Sequence, residues 1–268
     1  MRVSRRAQLS LRTLALAYLF VLLIIPLGII LYRTFEHGAS AVIDSVTTPA
    51  AVSAFWLTIE IVTIAVVLNT VFGVLLAIAL VRSRVRGKSI IQVLVDLPFA
   101  VSPVVVGVSL LLVYGNAGWF GTWLAEHGIK VIFSVPGMVL ATIFVTVPFV
   151  VREVEPVLRE IGTEQEEAAA TLGASRWQTF WRITLPAIRW GLAYGVILTI
   201  ARALGEYGGV SLVSQSKPGE SQTLTLLVKS RYDNLDEAGA YAAATLLMVI
   251  AVVALIIMTV LDRKKSNV

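Results

Sequence analysis

Few residues in this 268-residue chain are of a type that can do chemistry, and their spacing narrows what that chemistry is. There is no cysteine, which removes disulfides, thiol redox chemistry and thiolate metal sites. His37 and His127 are the only imidazoles, and neither lies in a spaced ligand pattern such as H-E-x-x-H. Gly87-Lys88-Ser89 looks like the end of a phosphate-binding Walker A loop. Arg82 stands where that loop needs its first glycine and no strand precedes it, so the segment reads as a basic turn. No carboxylates pair across a cleft, and a membrane enzyme therefore lacks its working groups. What remains is Arg202 and Glu206 in ARALGEYGG, spaced i, i+4 on one face of an apolar helix. Counting ~1.5 Å per residue from Ala187 places Arg202 about two-thirds of the way across a membrane. A charge at that depth costs several kcal/mol unless paired or wetted. Two readings stand: a buried ion pair, between the two or with neighbouring helices, and a positive gating element on an anion path.

A second group of residues forms a charged and aromatic island, Glu166 to Pro186, between long apolar runs. Thr163 followed by Glu166 has the spacing of a capping box and predicts a short helix from Glu164 through Ala168, Ala169 and Ala170. Gly173 stops it. Ser175 and Gln178 repeat the signal and start a second short helix, with Trp177, Phe180, Trp181 and Thr184 on one face and Pro186 at its end. Neither helix is long enough to stand alone in water or to span a bilayer, so the pair must pack against something. A docking element fits this, as does an amphipathic pair lying on the membrane with its tryptophans among headgroups.

The elements that position these groups are membrane spans. Hydrophobic residues make up 57% of the chain and the mean hydropathy is +0.84, too apolar for a soluble domain. Apolar runs at 13–32, 56–81, 90–114, 131–151, 187–210 and 239–261 are each near the ~20 residues a spanning helix needs. The first is too long for a signal-peptide core, and Pro26 reads as a tolerated kink. The expected fold is an all-α integral membrane protein with six transmembrane helices and both termini on one side. Lys and Arg divide sixteen against five between the two sets of loops, which places the termini and the Glu166–Pro186 island in the cytoplasm. The formal charge of +5 is spread between spans and forms no nucleic-acid face. In the third span Pro98 and Pro103, with Asp96 nearby, mark either a helix lining the pore or a simple kink. Gly191–Gly195 and Gly205–Gly209 read as close helix packing. The polar stretch from Ser211 to Glu237 turns at Pro218-Gly219 and reads as an external loop, contacting a delivery protein or serving as a solvated connection.

Glu167, Ala168 and Ala169, then Gly173, then Leu185 and Pro186 resemble the EAA loop of permease subunits of bacterial ATP-binding cassette importers of the type I fold. The resemblance implies that Glu167, Ala168, Ala169, Gly173, Trp177, Leu185 and Pro186 couple the chain to an ATPase. It divides the chain into residues 1–55 (basic tail, first span and external loop), 56–261 (permease domain, coupling loop about 152–186) and 262–268 (cytoplasmic tail). PFVVREVEPVL, RWGLAYGVILT and ARALGEYGGVSLVS are similar to the sulfate and thiosulfate permeases, nearer to the second permease of that system than to its partner. Molybdate permeases share the Arg-x-Leu-Gly-Glu pattern. Tyr207 and Gly209 depart from the phenylalanine and alanine common there, and TLTLLVKS from an expected Pro-Leu segment. The family implies a heterodimer with a second permease, two cytoplasmic ATPase subunits that bind ATP and magnesium, an external sulfate-binding protein, and the bacterial inner membrane. This chain would hold no cofactor and catalyse nothing, with Arg202, Glu206, Pro98 and Pro103 on the path of sulfate or thiosulfate. An ion-driven secondary transporter would instead need Glu206, Asp96 and Glu60 as a relay and an internal inverted repeat, and no clear repeat is present.

Overall fold

The computed structural model describes residues 5–83 and 86–266, which are helices and the turns joining them. Of the basic residues counted above, Arg2 and Arg84 lie outside the described residues, as do the side chains of Arg5, Arg6, Arg263, Lys264 and Lys265. The first span joins α1 (Arg5–Leu19) and α2 (Ile25–Phe35) through a π-helical turn, Phe20–Ile24. Pro26 explains that turn: it offers no N–H to the preceding turn and its ring crowds the carbonyl four residues back, so the helix widens. None of this span's apolar window is buried. It is held through α2, where Thr34 Oγ1 bonds Thr245 Oγ1 at 2.7 Å and donates to Tyr241 O at 3.1 Å.

After α3 (Ala39–Val46), Thr48 caps α4 (Pro49–Arg82) by accepting from Ala51 N, with Pro49 at the first helical position. At ~1.5 Å per residue α4 is about 50 Å long, well beyond the ~30 Å hydrocarbon core. The predicted third span is two helices, α5 (Lys88–Ala100) and α6 (Pro103–Tyr114), turned by 113°. A pore-lining or simply kinked helix was expected, and a corner is found. The cause is local: the residue before a proline is driven out of the helical region, and Val101 and Ser102 are both extended, with ψ 131° and 136°. A short α7 (Gly121–Glu126) leads to α8 (Val135–Glu160), α9 (Glu164–Thr171) and α10 (Arg176–Thr179).

Pro186 does not end the second loop helix. From α10 the chain passes through a second π-helical turn, Phe180–Thr184, straight into α11 (Leu185–Leu204), giving one 29-residue rod. As at Pro26, the turn before the proline loosens rather than breaks. The rod stops at Leu204, short of the predicted Val210, and α12 (Gly208–Val213), α13 (Leu224–Asp233) and α14 (Glu237–Ser266) complete the chain. Among the described residues five helices are long and apolar enough to cross a membrane, six if the α5–α6 pair counts as one span.

Helices α4, α8 and α11 form the core. Lipid tails are as apolar as leucine, so such helices associate through close packing and polar contacts rather than by escaping water. Fully buried Val150 shows the first device, held between two glycines. A Cβ on Gly73 of α4 would fall 2.8 Å from Val150 Cβ, and one on Gly195 of α11 would fall 3.0 Å from Val150 Cα. Gly191 approaches Glu153 O as closely, so the Gly191–Gly195 reading holds. Gly205 and Gly209 do not lie on one helix, because Gly205 ends α11 while Gly209 packs against Pro103 O and Ala141. The polar device is buried Asn69, whose Nδ2 donates to Thr146 Oγ1 at 2.7 Å and to Ile143 O at 3.2 Å. The stretch read as an external polar loop, for a delivery protein or as a solvated connection, is also packed: Leu224, Leu226 and Leu227 of α13 are buried, with Leu224 and Leu227 against Ala51, Ala54 and Ala243.

Candidate functional site

The loop between α8 and α11 is the exposed end of a rigid unit. Helix α9 buries none of its residues, and α10 buries none. Gly173, φ +84°, closes α9 with Gly173 N bonded to Ala170 O and Ala174 N to Ala169 O, a left-handed termination that suits glycine. At Ser175 the predicted capping box forms in both directions with Gln178. At Thr163 it does not. Thr163 Oγ1 donates to Glu167 Oε1 instead, at 2.7 Å, because Glu166 is drawn off to Arg82. Glu167, Ala168 and Gly173 face outward, Leu172 is 89% exposed and Trp177 68% exposed. Trp177 stacks on Phe180 with centroids 6.1 Å apart, and Trp181 meets both rings edge-on. Leu185 and Pro186 lie inside the rod and set where it widens, while Ala169 is half-buried. An apolar and acidic surface is thus presented on short helices with fixed turns. It has the form of a docking surface.

Sequence reasoning missed the side chains that anchor this loop. Arg82, the last residue of α4, lies with Nε 3.0 Å from Glu166 Oε2, off the line of a hydrogen bond, while Nη2 donates to Glu166 Oε1 at 3.3 Å and to Gly162 O. Glu166 Oε1 also accepts from Thr184 Oγ1 at 2.9 Å. The sequence shows Arg82 only as a cation closing an apolar run. No spacing rule connects it to a residue 84 positions away.

The second candidate group is brought together only in part. Helix α11 ends before Glu206, so Arg202 and Glu206 do not share a helix face, yet Arg202 Nη1 still lies 2.9 Å from Glu206 Oε2. The Glu206 side chain is 2% exposed and the Arg202 side chain 33%. Glu206 Oε1 accepts from Gly209 N at 2.8 Å, and its backbone carbonyl accepts from Thr225 Oγ1 at 2.9 Å. The carboxylate thus fixes the start of α12 as well as the guanidinium. A Cβ on Gly208 would come 3.0 Å from Pro103 Cβ, so Pro103 sits beside this corner, whereas Pro98 is buried within α5. Asp96 is held by Arg152 through Nε at 2.8 Å and Nη2 at 2.6 Å, and Gln92 donates to Glu155 one turn away. Arg152 lies eight residues, about 12 Å, inside the end of α8, and its side chain is half exposed; such a charge is costly against hydrocarbon. Glu60 lies 22 residues, about 33 Å, from Arg82 along α4, beyond the ~30 Å core, which accounts for an exposed carboxylate there. Among the described residues no cluster of His, Asp or Glu could hold a metal.

Comparison with known proteins places these features. Residues 69–267 match the family described as "Binding-protein-dependent transport system inner membrane component". The chain is 48% identical to the "Sulfate transport system permease protein CysW" of Synechocystis sp. over 254 residues, covering 95% of this chain and 92% of that one. It is 46% identical to the protein of that name from Escherichia coli K12 over 246 residues, covering 92% and 84%. Its fold is similar to that of a crystal structure of a bacterial ABC transporter involved in import of the acidic polysaccharide alginate, at 19% identity, TM-score 0.78 and coverage of 98% and 97%. The exposed helical loop on the helical bundle and these matches agree: the chain belongs to the family of inner-membrane permease components of binding-protein-dependent transport systems, with the type I fold of ATP-binding cassette importers.

Proposed function

We propose that this chain is one of two permeases of an ATP-driven importer that carries sulfate, and thiosulfate with it, across the bacterial inner membrane. Near-half identity to relatives named as sulfate transport permeases, over nearly the whole of both chains, is the observation that carries the substrate. The exposed Glu167–Gly173–Trp177 surface supports the coupling role: it is where two cytoplasmic ATPase subunits, holding ATP and magnesium, would seat one permease each. The basic loops favour cytoplasmic termini. A solved neighbour in complex with a ligand-bound periplasmic protein supports an external binding protein here, with sulfate as its ligand.

The physics is consistent with this division of labour. A dianion does not cross hydrocarbon unaided, and with Arg82 in place of the first Walker A glycine the sequence carries no nucleotide loop at Gly87-Lys88-Ser89 to drive accumulation. Taking a two-state permease from mostly inward-open to mostly outward-open requires about 5.5 kcal/mol of differential binding, within reach of ATPase subunits closing on ATP. Arg202, with Glu206 and Pro103 shaping the α11–α12 and α5–α6 corners and Pro98 within α5, borders the path.

The test is labelled sulfate uptake in cells lacking this chain, before and after its restoration, with thiosulfate and molybdate as competitors. Restored uptake inhibited more by thiosulfate supports the reading. Restored molybdate accumulation with unchanged sulfate uptake moves the substrate and keeps the architecture. Sensitivity to an uncoupler rather than to an ATPase inhibitor would sink the ATP-driven class in favour of an ion-driven transporter.

A further inference from the structure

We propose that Arg82, Glu166 and Thr184 form the bridge through which movement of the loop helices is passed to α4 and α11 together. The proposal rests on the docking role of the loop and adds the residues that carry its load. Helix α9 has no fully buried residue, only half-buried Glu166 and Ala169, so its apolar grip on the bundle is slight, and it is tethered at either end by glycine turns, Gly162 at φ +62° and Gly173 at φ +84°. Two glycine turns in series would let a docked helix swing without moving anything.

The bridge removes that freedom. One guanidinium at the last residue of α4 holds Gly162 O, in the turn before α9, and the Glu166 carboxylate, in the first turn of α9. The same carboxylate oxygen takes the hydroxyl of buried Thr184, where the π turn passes into α11. Three segments distant in sequence therefore meet at one carboxylate. Its setting suits a load-bearing polar link: the Arg82 and Glu166 side chains are 15% and 21% exposed, sheltered enough to escape most solvent screening. Between the end of α4 and the loop lies a cavity of about 540 Å³, bordered by Ile78, Arg82, Glu166, Arg176 and Phe180. Close packing transmits displacement because it has no slack, and an open groove between two elements offers fewer such contacts. Across this gap the charged bridge is the stiff connection. Arg82, Glu166 and Thr184 are positioning residues; they touch neither ATP nor the transported anion.

The test uses the complete importer, with its partner permease, ATPase subunits and binding protein, reconstituted in vesicles. ATP hydrolysis and labelled sulfate uptake are measured on the same preparation, and the readout is uptake per ATP. Arg82→Gln and Glu166→Gln each retain the ATPase subunits and hydrolyse ATP within about twofold of the unaltered complex. Uptake per ATP falls on the order of tenfold, the scale of a typical coupling free energy. Because both act through one link, the double variant is no worse than the more affected single. Thr184→Val, which keeps the shape and removes the hydroxyl, gives a smaller loss in the same ratio. Uptake per ATP within twofold of normal in both singles overturns the bridge, as does a double variant whose loss is the product of the two. Gly173→Asp is the control on the docking role: undiminished ATPase retention and coupling there would overturn the docking reading itself, whatever the bridge variants do.

Discussion

The two ends of α4 are each organised by one arginine, and the two arginines are held in opposite ways. At the loop end Arg82 meets a carboxylate on a helix with no fully buried residue. At the far end Arg231 of α13 meets neutral acceptors that are already fixed. Its Nη1 donates to Ser45 Oγ at 2.9 Å and Gly239 O at 3.0 Å, and its Nη2 to Ser45 O at 2.9 Å and Thr48 Oγ1 at 3.0 Å. Its nearest carboxylate, Asp236, stays 3.7 Å away and half exposed. Arg231 thereby ties α3, the cap of α4, α13 and the first turn of α14 into one block. Such acceptors offer no second state. At the loop end one charge pair joins the bundle to an exposed helix, so a push on that helix loads the pair and is passed on. The far end is a fastening, and the loop end is a joint.

That distinction is open to test by stability measurements on the detergent-solubilised protein. Arg231→Ala has the largest expected effect, a loss of about 3 kcal/mol, since it strands hydroxyl and carbonyl acceptors among four elements. It should lower the thermal midpoint and the amount of protein in the membrane together; a normal midpoint would mean that the far end is not fastened there. Gly73→Val comes next. Its side chain would meet Val150, and overpacking of this kind costs about 2 kcal/mol, read in the same melt. Leu235→Gly is expected to raise stability by about 1 kcal/mol, because Leu235 closes α13 at φ +61°, where a side chain is strained and glycine is not. Arg82→Gln has the smallest effect on the melt, below about 1 kcal/mol, because glutamine keeps a donor for the carboxylate and the helix held there has no fully buried residue. Its large effect is reserved for uptake per ATP. A melt as damaged by Arg82→Gln as by Arg231→Ala would erase the difference between joint and fastening.

Much of the candidate site was legible in sequence because its signals are local. The glycine stop at 173 and the Ser175–Gln178 capping box act over three or four residues, and both formed as read. The Thr163–Glu166 box has the same local pattern and failed, since a cation from α4 outcompeted the local partner for Glu166. Proline misled in two directions. Pro186 reads as a terminator, but a helix can widen by a π turn and continue. Pro103 reads as a kink, but the extended residues before it make a corner of 113°. The polarity of Ser211–Glu237 masked the three buried leucines of α13.

Composition and apolar run length alone determined that this chain spans a membrane many times, because hydrocarbon imposes its thickness on every segment independently. The order of spans, the exposed helical loop and the lack of metal-ligand patterns follow from residues near one another in the chain. Tertiary structure alone decided which charges find partners. Arg82 with Glu166, Arg152 with Asp96 and Arg231 with Ser45 and Thr48 are joined across 84, 56 and more than 180 positions. Those pairings depend on the angles at which α4, α5, α8 and α13 cross, and crossing angles are set by glycine contacts such as Gly73 on Val150, which no local pattern encodes.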